Sequence, residues 1–170
     1  MLLNGILPNS EVWFNVKEEH LTFNLESADI DLMRKIFDAH SKTAIELFFL
    51  ETAKIPIRYI ISKHRLMYLW HIIHQREDQL IRKIVDTQQL VYTKGDWCHM
   101  IKDEMVKYDI QLTAEDIFKM SKYRFRKMVD KKVNSFVFQN LKEKASSHTK
   151  SLKILKQLEN KSVMRRPTYL

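Results

Sequence analysis

The chain has 170 residues, 45% of them apolar, which is long enough for one domain with a hydrophobic core and excludes a generally disordered protein. Its 2 glycines and 3 prolines fall far below the roughly 7% and 5% of average proteins. Sheets and tight turns consume those residues, so an all-α, irregular multi-helix bundle with short polar links is expected. The net charge of +8 is concentrated: residues 121–170 hold 14 Lys and Arg against 3 acids, whereas residues 1–120 hold 15 against 18. A neutral-to-acidic body with a basic last third suggests a polyanionic partner at that end, or a solvated lysine-rich tail. One cysteine, Cys98, excludes an internal disulfide and suits a reducing compartment. No segment reads as a secretory signal, and the longest purely apolar stretch, Leu66 to Trp70, is too short to span a membrane. The expected location is therefore intracellular, nuclear or cytoplasmic.

Taken in chain order, the first strong periodicity is Leu21 to Ala39. Leu21, Leu25, Ala28, Leu32, Ile36 and Ala39 recur at helical spacing, and Met33 and Phe37 widen the stripe. Thr43-Ala-Ile-Glu46 has the form of a capping box opening a short helix, Ala44 to Glu51. Pro56 suits the first turn of the next helix, which runs to about Gln75. That helix is apolar around most of its circumference, with Arg58, Ser62 and Arg65 as a polar edge, and so predicts the central buried element. Asp78 to Leu90 follows, with Leu80, Ile81, Ile84, Val85 and Leu90 in register. Gly95 breaks the chain, Asp96 caps a helix through Asp109, and Thr113-Ala-Glu-Asp116 opens another. The last strong helix spans Ser121 to Ala145. Residues 1–145 thus read as a single helical domain, and residues 146–170 as a basic, poorly ordered or loosely helical tail.

Catalytic constellations are missing from this pattern. His71 and His74 lie three apart on one helical face, but no carboxylate or cysteine pair accompanies them, and imidazoles beside Trp70 read as partly buried packing. Cys98 and His99 are adjacent, which points their side chains about 100° apart on a helix and makes no dyad. No paired aspartates in an apolar strand and no glycine-rich phosphate loop are present. No cofactor, no metal and no independent catalysis are expected.

The basic helix is the remaining feature. Phe125, Val129, Val133 and Phe136 form an apolar stripe, and Arg124, Lys127 and Lys131 fall roughly opposite. Lys122, Arg126 and Lys132 broaden the positive surface, and Tyr123 adds a stacking surface. Such an array follows a phosphate backbone with strongly salt-dependent, sequence-independent affinity. The same pattern also fits an ordinary solvated helix face.

The order of whole segments carries a resemblance. Leu7-Pro-Asn-Ser-Glu-Val-Trp13 resembles the leucine–glutamate–tryptophan signature that follows the polymerase core in reverse transcriptases of non-long-terminal-repeat retrotransposons. Asp31 to Thr43, Ile55-Pro-Ile-Arg-Tyr59 with Arg65 to Leu69, Lys94-Gly-Asp-Trp97 and Met120-Ser-Lys-Tyr123 are similar to later blocks of that family, in the same order, over roughly Leu2 to Lys150. The resemblance implies the thumb and connecting region alone. The family's tyrosine–x–aspartate–aspartate turn and its cysteine/histidine zinc element have no counterpart here, so the chain reads as cut before Met1 and ending before the zinc element. A thumb grips the primer–template duplex mostly through phosphates. The implied partner is an RNA–DNA hybrid or duplex, contacted by Arg124, Lys127, Lys131 and Lys132, then by Arg58, Lys63 and Arg65, and the missing polymerase core is a second candidate partner. Arg58, Lys63 and Arg65 also fit the bland role of solvating the edge of the central helix. A helical protein-interaction module and an inert remnant of a decayed element are the alternatives.

Overall fold

A computed structural model describes the backbone over residues 18–40, 43–90 and 96–146, and the side chains over 25–40, 43–87 and 96–146. These residues form seven α-helices and no strand: α1 (Glu18–Ile36), α2 (Ile45–Glu51), α3 (Ile57–Ile73), α4 (Leu80–Leu90), α5 (Trp97–Lys107), α6 (Ala114–Lys119) and α7 (Lys122–Ser146). The all-α bundle expected from composition is what forms. The block from Leu7 to Trp13, Gly95 and the tail after Ser146 lie outside the described residues.

Helix α3 is the hub, packing on α1, α4, α5, α6 and α7. Ile57, Ile61, Leu66 and Ile72 are almost wholly enclosed, as an all-round apolar helix requires. Two of its polar residues are not on an edge. Ser62 and Arg65 are buried with Glu104 of α5, and Arg65 is only 2% exposed. Arg65 Nη1 donates to Glu104 Oε1 at 3.3 Å, Ser62 Oγ donates to the same oxygen at 2.9 Å, and the Tyr108 hydroxyl donates to Ser62 Oγ at 3.0 Å. Burial pushes the Tyr108 phenol well above its ordinary range. A buried charge persists only when paired and hydrogen-bonded, and this network supplies the pairing between α3 and α5.

Helix ends follow local chemistry. Asp96 caps α5, its side chain accepting from the His99 amide at 2.7 Å. A reciprocal capping box opens α6, with Thr113 Oγ accepting from the Asp116 amide at 3.2 Å and Asp116 Oδ2 from the Thr113 amide at 2.9 Å. The same box does not form at Thr43: α2 starts at Ile45, so Ala44 holds the cap position and makes no side-chain cap bond. Helices α1 and α5 end in paired turns in which Ala39 donates to Arg34 and Ile110 to Met105, with Asp38 and Asp109 left-handed at φ 46° and 52°. With two glycines in the whole chain, aspartate takes the position that glycine usually fills.

Two apolar stripes sit differently from their sequence reading. Among the described side chains of α1 the buried residues are Met33 and Glu26, while Leu32, Ile36 and Phe37 stay exposed and Ala28 faces water; Leu21 lies outside them. Charge sets this rotation, since Glu26 binds the Arg58 guanidinium and amide and Asp29 binds Lys54. Among the described side chains of α4, Val85 alone is buried, and Leu80, Ile81 and Ile84 are exposed.

Helix α7 buries Phe125, Val129, Val133, Val137, Leu141 and Ala145, every fourth residue along its length. Each step of four advances about 40° around a helix of 3.6 residues per turn, so the stripe winds as it goes. Its early and middle turns meet α3, running antiparallel to it: Trp70 reaches Met120, Lys63 reaches Asp130, and Tyr59 meets Phe136. Its last turns approach α2, where Asn140, Leu141 and Lys144 line a cavity of about 330 Å³ with Ile45, Glu46 and Phe49. The Lys107 ammonium sits 5.2 to 5.7 Å from the rings of Tyr59, Tyr108 and Phe136, tying α5, α3 and α7 together.

Two arginines of α3 should therefore respond differently to truncation. Arg65→Ala strands Glu104 inside the bundle and is expected to cost about 3–5 kcal/mol in urea denaturation. Arg58→Ala should cost less, because the guanidinium is more than half exposed and the Arg58 amide, at 3.0 Å, still donates to the buried Glu26 carboxylate. Equal losses would contradict the assignment of Arg65 to the core.

Candidate nucleic-acid interface

Helix α7 begins at a corner fixed from both sides. Ser121 Oγ accepts from the Arg124 amide at 3.3 Å, and the Ser121 carbonyl accepts from Phe125 at 3.0 Å. Trp70 Nε1 donates to the Met120 carbonyl at 3.0 Å, so the corner is bonded to α3. His74 lies between Trp70 and Phe118, with ring centroids 3.8 and 5.2 Å away, and its two ring nitrogens face the carbonyls of Trp70 and Phe118 at 2.9 and 3.1 Å. The packing role expected for this histidine is what the ring does.

From that corner Arg124, Lys127 and Lys131 rise on the outer side of α7, all exposed. At 100° per residue the three fall within an arc of about 60° and span about 10 Å of helix axis. They face away from Phe125, Val129 and Val133, whose burial fixes the orientation of the line. Among the described residues no carboxylate pairs with any of the three.

The other candidate cations are placed otherwise. Lys122 and Arg126 lie about 160° around the helix from Arg124. Lys122 sits over the Trp70 ring at 6.0 Å, and Arg126, 72% exposed, has Asp130 at 4.0 Å. Lys132 is half-buried and bonded to Asp109 at 2.6 Å. Lys63 is largely covered and bonded to Asp130 at 2.8 Å, Arg58 is forked onto Glu26, and Arg65 is enclosed. The structure thus gathers three of the nine candidates into one line and commits most of the others to internal pairs. Arg65 in particular is no surface residue, because the polar edge read from the sequence faces Glu104 rather than water.

Tyr123 is 75% exposed beside the line, and Phe118, which sequence reasoning passed over, is 61% exposed at the end of the Trp70–His74–Phe118 column. Its isolated place in a six-residue helix gave no periodic signal. Elsewhere Cys98 is buried, which raises its thiol above the ordinary value, and its Sγ lies 3.8 Å from the Val85 carbonyl. His99 has Asp103 at 3.5 Å. Among the described residues no three His, Cys, Asp or Glu side chains converge as a metal ion would need, and no helix is long and apolar enough to cross a membrane.

Comparison with known proteins returns no match to a family model, to a curated protein or to a solved structure.

The Lys132–Asp109 pair makes a pH-dependent prediction. The Lys132 ammonium, donating to its carboxylate, holds Asp109 below the ordinary carboxylate range. A depressed folded-state value means that the pair stabilises the fold above the ordinary range and is lost only as pH falls through the folded value. In a carboxyl NMR titration Asp109 should titrate below about 3.9, and Lys132→Gln should return it upward. An unchanged midpoint in that variant would show that the pair does not form.

Proposed function

We propose that the chain is a non-catalytic, nucleic-acid-gripping module, and that it is the thumb-like part of a non-long-terminal-repeat retrotransposon RNA-directed DNA polymerase. The partner is the phosphate backbone of a primer–template duplex, an RNA–DNA hybrid above all. The observation that carries this reading is the line of Arg124, Lys127 and Lys131, exposed on a helix whose opposite side is buried, with no acid among the described residues to neutralise it. A line of fixed cations exchanges condensed counterions for its own charge, so affinity comes from the backbone and carries no sequence information. The order of the sequence blocks described above supplies the family part of the proposal. Among the charged residues, Arg58, Lys63 and Arg65 contribute to the fold rather than the grip.

Fluorescence anisotropy with an RNA–DNA hybrid tests it. Binding should weaken steeply with salt, and Arg124→Gln, Lys127→Gln and Lys131→Gln together should lower the slope of log affinity against log salt by about 0.9 for each phosphate contact removed. Arg58→Gln should leave the slope unchanged. Absence of binding at low salt would overturn the proposal.

A second reading is favoured by a separate observation. Leu80, Ile81 and Ile84 of α4 and Leu32 and Ile36 of α1 are exposed apolar residues, which suit a helical interaction module docking on a protein such as the polymerase core. In that case serine substitutions at Leu80, Ile81 and Ile84 would abolish self-association or core binding and leave hybrid binding intact.

A further inference from the structure

Resting on the reading of the α7 line as a backbone grip, we propose that it is a bounded seat for one strand. It takes about three consecutive phosphates and leaves the complementary strand uncontacted, so a single strand occupies it as a duplex strand does. Its length is set by the row opposite the buried stripe. Tyr123, Lys127, Lys131, Ser135, Gln139 and Glu143, each about 200° around α7 from the buried residue two positions later, are all exposed. Positive charge occupies only the early part of that row. Ser135 and Gln139 are neutral, and Glu143 ends it with an acid that accepts from Gln139 at 3.1 Å. The later cations leave the row, since Lys142 is half-buried and Lys144 lines the cavity beside α2. Arg124 to Lys131 therefore cover about 10 Å, the axial rise of about three nucleotides of one strand.

Its width is set by acids on both flanks. Asp130, about 60° beyond Lys127, holds Lys63 at 2.8 Å, and Lys132, about 80° beyond Arg124, is held by Asp109 at 2.6 Å. Lys122 and Arg126 stand further round than Asp130 and face away from the line. A second strand, set a groove away, therefore meets ion pairs and not a second line of cations. The first turn of α7 also opposes the helix's own preference, which is for acids at the start and cations at the end. Helix α6 obeys it, with Glu115 and Asp116 in its first turn and Lys119 in its last. Helix α7 has no acid in its first turn and carries Lys122 and Arg124 there. Breaking a local rule without a gain inside the fold marks a surface kept for a partner, and at this end the dipole and the cations act together on an anion.

Anisotropy titrations over a range of salt test the seat, using the full chain and its triple variant Arg124→Gln, Lys127→Gln and Lys131→Gln. The two probes are a short RNA–DNA hybrid and its DNA strand alone. Subtracting the variant from the parent removes the contribution of every other cation, and helical circular dichroism checks that both are folded. The difference in the slope of log affinity against log salt should be about 2.7 with the hybrid and about 2.1 with the strand, three contacts at the duplex and single-strand values. A strand difference at or below about 1.4, two contacts or fewer, beside an undiminished hybrid difference would show that the line spans two strands. That result would overturn the seat while leaving the grip standing. No difference with either probe would overturn the grip, and the seat with it.

Discussion

Six side chains spaced four apart, from Phe125 to Ala145, leave water together when α7 folds onto α3 and α2. Each large apolar member contributes about 1.5–3 kcal/mol by burial, and rotating the helix would forfeit most of that at once. The outward direction of Arg124, Lys127 and Lys131 is therefore not a property of those residues. It is what remains when the opposite side is fixed, and the Trp70–Met120 bond adds a stop at the first turn. The hub role of α3 is the precondition, because only a helix apolar around its circumference can receive five neighbours.

Which cations are available for a partner is decided by which are consumed inside. Arg65, Arg58, Lys63 and Lys132 each meet a named carboxylate, and Lys107 is surrounded by three rings. Those pairs join α3 to α5, α1 and α7, and α5 to α7. Positive charge in this chain thus has two uses, and proximity in sequence does not separate them. Lys131 and Lys132 are neighbours, yet one faces water and the other holds Asp109.

Much of the fold was legible in the sequence because periodicity and caps are local. The all-α class, the central helix, the Asp96 and Thr113 caps and the extent of the last helix all came from patterns within one element. The rotation of α1 was not legible, since Glu26 and Asp29 are drawn inward by Arg58 and Lys54, partners about thirty residues away. Arg65 failed for the same reason: its buried partner Glu104 lies 39 positions later. Of the site, the spacing of Arg124, Lys127 and Lys131 was readable. The column ending in Phe118 was not, because it is assembled from α3 and α6.

The account turns on the outer side of α7 being the surface that meets phosphate. Lysine acetylation by a soluble ester, read by mass spectrometry with and without an RNA–DNA hybrid, tests this residue by residue. Lys127 and Lys131 should label readily in the free protein and become protected by the hybrid, while Lys63 labels weakly in both states. Protection of lysines elsewhere, with Lys127 and Lys131 still open to the reagent, would contradict it.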